Sequence, residues 1–92
     1  MNEQLKTQLE QEGFPYVYEW KNEAAVEYSL HKHQGRVVLL ITDGSISLYI
    51  DDQVFELKKG DRFDVPVGKD HTAKVGPEGC SYIVGEMIEG DS

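Results

Sequence analysis

From Tyr16 to Met87 the chain is cut into short runs, with glycine, proline, aspartate or asparagine at almost every gap. The breaks fall at Lys21-Asn22-Glu23, Gln34-Gly35, Asp43-Gly44, Asp51-Asp52-Gln53, Lys59-Gly60-Asp61, Pro66-Val67-Gly68 and Gly76-Pro77-Glu78-Gly79. Several of the runs between them are rich in aromatic or β-branched residues. Many alternate in polarity, as in Ile46, Leu48 and Ile50 against Ser45, Ser47 and Tyr49. Many short strands at even spacing predict an all-β antiparallel sandwich or barrel, not a parallel α/β sheet.

Before this region, Leu5 and Leu9 recur at i, i+4, with Asn2 as N-cap and Gly13 and Pro15 closing the segment. Residues 1–13 are therefore expected to form a short N-terminal helix, residues 14–88 the barrel, and residues 89–92 a disordered tail. The helix is too short to persist alone, so it must dock on the body or fray. Val37-Val38-Leu39-Leu40-Ile41 is apolar on both faces, the pattern of a strand covered on both sides. A chain of 92 residues has little core to spare. The second cover is expected to come from another subunit, which predicts a homodimer.

The net charge of −8 argues against nucleic acid or an anionic membrane surface as a partner. Basic residues gather in or beside the central stretch (Lys58, Lys59, Arg62, Lys69 and Lys74), where they read as solvated strand edges. No apolar run approaches a membrane span, and the polar start MNEQLKTQLEQEG has no signal-peptide core, so a cytoplasmic protein is expected. The single cysteine, Cys80, excludes an internal disulfide and a cysteine zinc cluster.

The stretch GDRFDVPVGKDHTAKV, Gly60 to Val75, carries the candidate chemistry. Gly60 and Gly68 permit tight turns with φ > 0, Pro66 bars a helix, and His71 then opens a strand. Upstream, His31 and His33 are one residue apart in a β-like run and share its face with Glu27 and Ser29. Three imidazoles on two strands could meet at one metal ion.

These residues resemble the cupins, small double-sheet jelly rolls. The family's second motif, G-x5-P-x-G-x2-H-x3-N, is matched by Gly60, Pro66, Gly68 and His71, with Val75 at the Asn position. The first, H-x-H-x3-E-x6-G, is matched by His31, His33 and Gly44, with Val37 at the Glu position. The resemblance implies a jelly-roll barrel and one divalent metal held by His31, His33 and His71, without the usual carboxylate. Glu27 cannot replace it: four residues of strand put it roughly 13 Å from His31. Three imidazoles suffice for Zn²⁺ with an open position and also suit Fe, Ni or Cu; the spacing does not distinguish these metals or Mn. Some cupin dioxygenases that oxidise small thiols use such a three-histidine iron site.

Two functional readings follow. One is a metal-binding cupin that binds or acts on a small anionic metabolite, since an ion without a carboxylate keeps its full charge. The other is a metal-free module that binds or senses a small ligand, with a vestigial site; a partner-binding domain is a third class. Whether the protein is an enzyme is left open. Cys80 could be a thiol at the barrel rim but reads as core; Asp61, Asp64 and Asp70 could include a general base but read as surface or turn residues; and Tyr18, Trp20 and Phe63 read as packing or pocket-lining aromatics.

Overall fold

The computed structural model describes residues 3–31 and 35–87, with the backbone alone for residues 28–31. Helix α1 spans Glu3–Gln11, followed by strands β1 (Tyr16–Asn22), β2 (Glu27–His31), β3 (Arg36–Ile50), β4 (Gln53–Lys58), β5 (Arg62–Val65) and β6 (His71–Met87). The expected cap Asn2 and the tail from Glu89 to Ser92 lie outside the described residues.

All strand pairs are antiparallel, and β3 and β6 are the two long central strands. They pair twice. Arg36–Ile41 runs against Tyr82–Met87, and Ile46–Ile50 against His71–Val75, with register shifts around Asp43 and Gly44. One half-sheet therefore reads β1-β6-β3-β5 and the other β2-β6-β3-β4. Residues of both halves share one apolar core, which includes Leu39, Ile41, Ile46, Leu48, Val75 and Val84. Two antiparallel half-sheets folded over a common interior make a jelly-roll barrel: the strand pattern predicts the antiparallel barrel, and the cupin resemblance implies the jelly roll.

Two expected turns are not turns. Asp43-Gly44 lies inside β3, and Gly76-Pro77-Glu78-Gly79 lies inside β6. Both are bends where the long strands cross from one half-sheet to the other. Glycine is needed at position 44 because the backbones nearly touch: a Cβ on Gly44 would sit 2.0 Å from the Gly79 carbonyl oxygen, whereas one on Gly76 would meet the Ser45 side chain, its Oγ at 2.1 Å. A strong turn signal thus serves as a β-bulge. A smaller difference occurs upstream: β1 continues through Asn22, and β2 begins at Glu27 after a bend with Ala25 at φ 63°.

The expected second cover of Val37–Ile41 is found within the chain. Val37, Leu39 and Ile41 point into the barrel, while Val38 and Leu40 form a separate core with Leu9, Phe14 and Ile83. Helix α1 therefore docks on the outer face of the sheet, and Leu9 is 0% exposed. The helix ends in a Schellman motif: Gly13 takes φ 100°, Gly13 N–H donates to Glu10 O and Phe14 N–H donates to Leu9 O. That turn swings Phe14 back onto Leu9. A bidentate ion pair from Arg62 to Glu12, 2.8 Å on each arm, ties the helix end to β5. The guanidinium holds the Glu12 carboxyl down at about 2.

Candidate functional site

A cavity of about 240 Å³ opens between the half-sheets. Its walls are mainly apolar, with Val37, Leu39, Ile46 and Leu48 from β3, Val65 from β5, and Ala73 and Val84 from β6. The polar groups that reach it are His71, Tyr82 and Glu86 of β6 and Tyr18 of β1, joined by the indole of Trp20. An apolar concave site with a few convergent polar groups is the usual form of a small-molecule site.

His71 arrives as its local sequence predicts. Gly60 and Gly68 take φ 95° and 76° in the two turns before it, and His71 is the first residue of β6. It is 4% exposed, and its Nδ1 lies 3.3 Å from the Lys69 carbonyl oxygen. A carbonyl can only accept, so in this contact Nδ1 is the protonated nitrogen. The register sets the backbone of His31 opposite His71. His33 and the side chain of His31 lie outside the described residues. Among the described residues, no three His, Cys, Asp or Glu side chains converge where an ion could sit.

The polar pair that sequence reading missed is Tyr18–Glu86. The Tyr18 hydroxyl donates to the Glu86 carboxylate between neighbouring strands. Burial pushes the Tyr18 phenol well above its ordinary range, and the bond to Glu86 adds to the shift, so it stays a donor at physiological pH. A signal was present: Tyr82, Val84 and Glu86 alternate along the last strand, so a core-facing Tyr82 implies a core-facing Glu86. Trp20 is held by its Nε1–H, which donates to Asn22 Oδ1 at 3.0 Å. Phe63, by contrast, packs against Phe55 with ring centroids 5.1 Å apart and planes tilted by 49°, and is a packing residue.

The weaker candidates fall to structural roles. Cys80 is buried, and burial, with Asp43 nearby, pushes its thiol up to about 11, so it is a poor nucleophile. Asp61 accepts from the Lys58 backbone N–H at 2.9 Å and closes the turn before β5. Asp64 meets Arg36 and Arg62 at the surface, and Asp70 is exposed.

The family model for the AraC-like ligand-binding domain matches residues 16–87, which is every strand of the barrel. The chain belongs to that family. This AraC-like domain is a small cupin, and solved cupins share its fold. A cupin-2 domain protein of Shewanella frigidimarina is 23% identical with a TM-score of 0.65, over 74% of this chain and 65% of that one. An RmlC-like cupin of the same organism is 25% identical with a TM-score of 0.67, over 82% of this chain and 68% of that one. A cupin superfamily protein of Desulfitobacterium hafniense is 19% identical with a TM-score of 0.69, over 83% and 81%. The AraC-like domain thus spans just under two thirds of the cupin-2 protein's length. No curated protein matches it significantly.

Proposed function

We propose that this domain binds a small organic molecule inside its barrel. The observation that carries this reading is the cavity of about 240 Å³, apolar in its walls and met by His71, Tyr82 and the Tyr18–Glu86 pair. The volume suits a metabolite of a few carbons better than a drug-sized ligand. Occupancy would stabilise the fold in proportion to ligand concentration. Thermal melting against a panel of small metabolites tests the reading: a saturable rise in Tm, lost when Leu48→Trp fills the cavity in a protein that still folds, supports it. No shift with any ligand class refutes it.

A second reading has its own support. His71 is an imidazole facing the cavity with its Nδ1 against the Lys69 carbonyl, and the strand register sets the backbone of His31 opposite it. These positions fit a histidine-held ion, in which His31, His33 and His71 would bind one divalent Fe, Zn, Ni, Cu or Mn. When bound, such an ion supplies a Lewis-acid or oxygen-activating centre. The chain's own part is to hold the imidazole of His71 in place through Lys69 and to keep the surrounding wall apolar. Elemental analysis of protein purified without chelator tests it. Stoichiometric metal in the wild type, lost in His71→Ala, supports the site; equal metal in both overturns it.

On either reading the protein acts in the cytoplasm without nucleic acid or membrane, in keeping with its net charge of −8. A homodimer is supported by the edge strand β1, where Tyr16 is 56% exposed, rather than by the Val37–Ile41 run.

A further inference from the structure

The cavity wall formed by β1 and β6 has a chemical character of its own. Trp20 and Tyr82 are direct cross-strand partners, and Tyr18 stands opposite Val84, diagonal to both Tyr82 and Glu86. Three aromatic rings and one carboxylate therefore share a patch two strands wide. Trp20 is 50% exposed and Tyr18 39%, so the patch lies at the mouth on the β1 edge. Tyr82 is buried, and the apolar side chains of Leu39, Leu48 and Val65 lie in the same cavity.

The charge balance is one-sided. Among the described residues lining the cavity, Glu86 is the one formally charged group, and neither lysine nor arginine is present. Its hydrogen-bond partner is a neutral phenol, and none of the described lysines or arginines forms an ion pair with it. A half-buried carboxylate with no paired cation repels an anion and attracts a positive ligand more strongly than it would in bulk water. Aromatic faces add a cation–π attraction, which strengthens as the cation loses water. Apolar walls reward alkyl groups on that cation and offer nothing to a hydrated inorganic ion.

We infer that the ligand of this domain is a small organic cation, such as an alkylated ammonium, received by Glu86 and the rings of Tyr18, Trp20 and Tyr82. This rests on the small-ligand reading and names the ligand's class. It departs from the anionic metabolite expected from a carboxylate-free metal site, because the cavity does hold a carboxylate, on β6 instead of β3.

The test uses the whole chain and three groups of probes. Tetramethylammonium and choline are the cations, 3,3-dimethyl-1-butanol is the neutral isostere of choline, and acetate and oxalate are the anions. Trp20 is the only tryptophan in the sequence, so its fluorescence reports occupancy of the mouth directly, with calorimetry as the second readout. The expected result is saturable binding of both cations, with choline held about tenfold or more tighter than the alcohol. Glu86→Gln should remove that preference, while Tyr18→Phe, which keeps the carboxylate, should retain it. Melting curves for each variant separate lost binding from lost folding. The inference alone is overturned if an anion or the alcohol binds at least as well as choline, or if Glu86→Gln leaves choline binding unchanged. If no probe of any charge binds, the inference fails, and a blank metabolite panel then removes the small-ligand reading as well.

Discussion

Val37 and Glu86 are cross-strand partners on β3 and β6, and both line the cavity. Directly opposed residues of an antiparallel pair have Cβ atoms roughly 5 Å apart. The cupin motif position that lacks its carboxylate in this chain therefore has a carboxylate beside it, one strand over.

That relationship gives the first prediction. Val37→Glu would set two carboxylates side by side in a site where Val37 is 7% exposed. The expected loss at pH 7 is about 2–4 kcal/mol, from burying a new charge against a like one. Desolvation and repulsion raise the folded-state pKa of the new glutamate, so its destabilisation is largest at neutral pH, fades as pH falls through that raised value and is gone below the unfolded one. Adding Glu86→Gln should recover part of the loss. Urea denaturation of the four proteins in this cycle checks it, and additive effects of the two changes would show that the side chains do not interact.

Helix α1 is expected to be a working part of the core. Leu9→Ala removes a side chain that is 0% exposed between Val38, Phe14 and Ile83, with an expected cost of about 2–4 kcal/mol by chemical denaturation. Lys6→Ala, on a half-exposed position, should change stability little. A Leu9→Ala midpoint equal to wild type would mean that the helix does not stay docked in solution.

Gly44 and Gly60 both have positive φ, at 71° and 95°, but only Gly44 is crowded. Nothing lies within 4 Å of a Cβ placed on Gly60. Gly60→Ala should therefore carry only backbone strain, about 1 kcal/mol. Gly44→Ala must also push back the Gly79 carbonyl where the long strands cross, and should cost several times more or prevent folding. Equal melting temperatures for the two variants would contradict the bulge.

Glu12 and Arg62 set an acid-side pH dependence. The carboxyl is held at about 2, against an ordinary value of 4.5. A depressed folded-state pKa contributes stability that is fully present above the unfolded value and lost as pH falls through the folded one. The expected loss runs from about pH 4.5 down toward 2 and is missing in Glu12→Gln. It should also weaken in high salt, because the pair is exposed. Parallel pH–stability curves for wild type and variant, with no divergence below pH 4.5, would count against the ion pair.

Much of the barrel is legible because its signals are local. Gly60, Pro66 and Gly68 restrict their own φ or permit turns whatever the surroundings, and they deliver His71 to the start of β6. Alternation from Ser45 to Ile50 needs only the two-residue period of a strand. The misreadings share a different cause. Asp43-Gly44 and Gly76 to Gly79 carry the same composition as true turns. Whether such a segment reverses or bulges depends on the backbone it crosses, and that backbone is far away in sequence.

The strand-and-turn grammar, the cupin spacing and the place of His71 follow from backbone freedom and periodicity along the chain, and so can be read locally. That α1 and not a second subunit covers Val38 and Leu40, and that Glu86 stands beside Val37, emerges only once the chain is folded. Both are matters of which distant segments pack together, where burial of apolar area and cross-strand register choose among partners that no local pattern ranks.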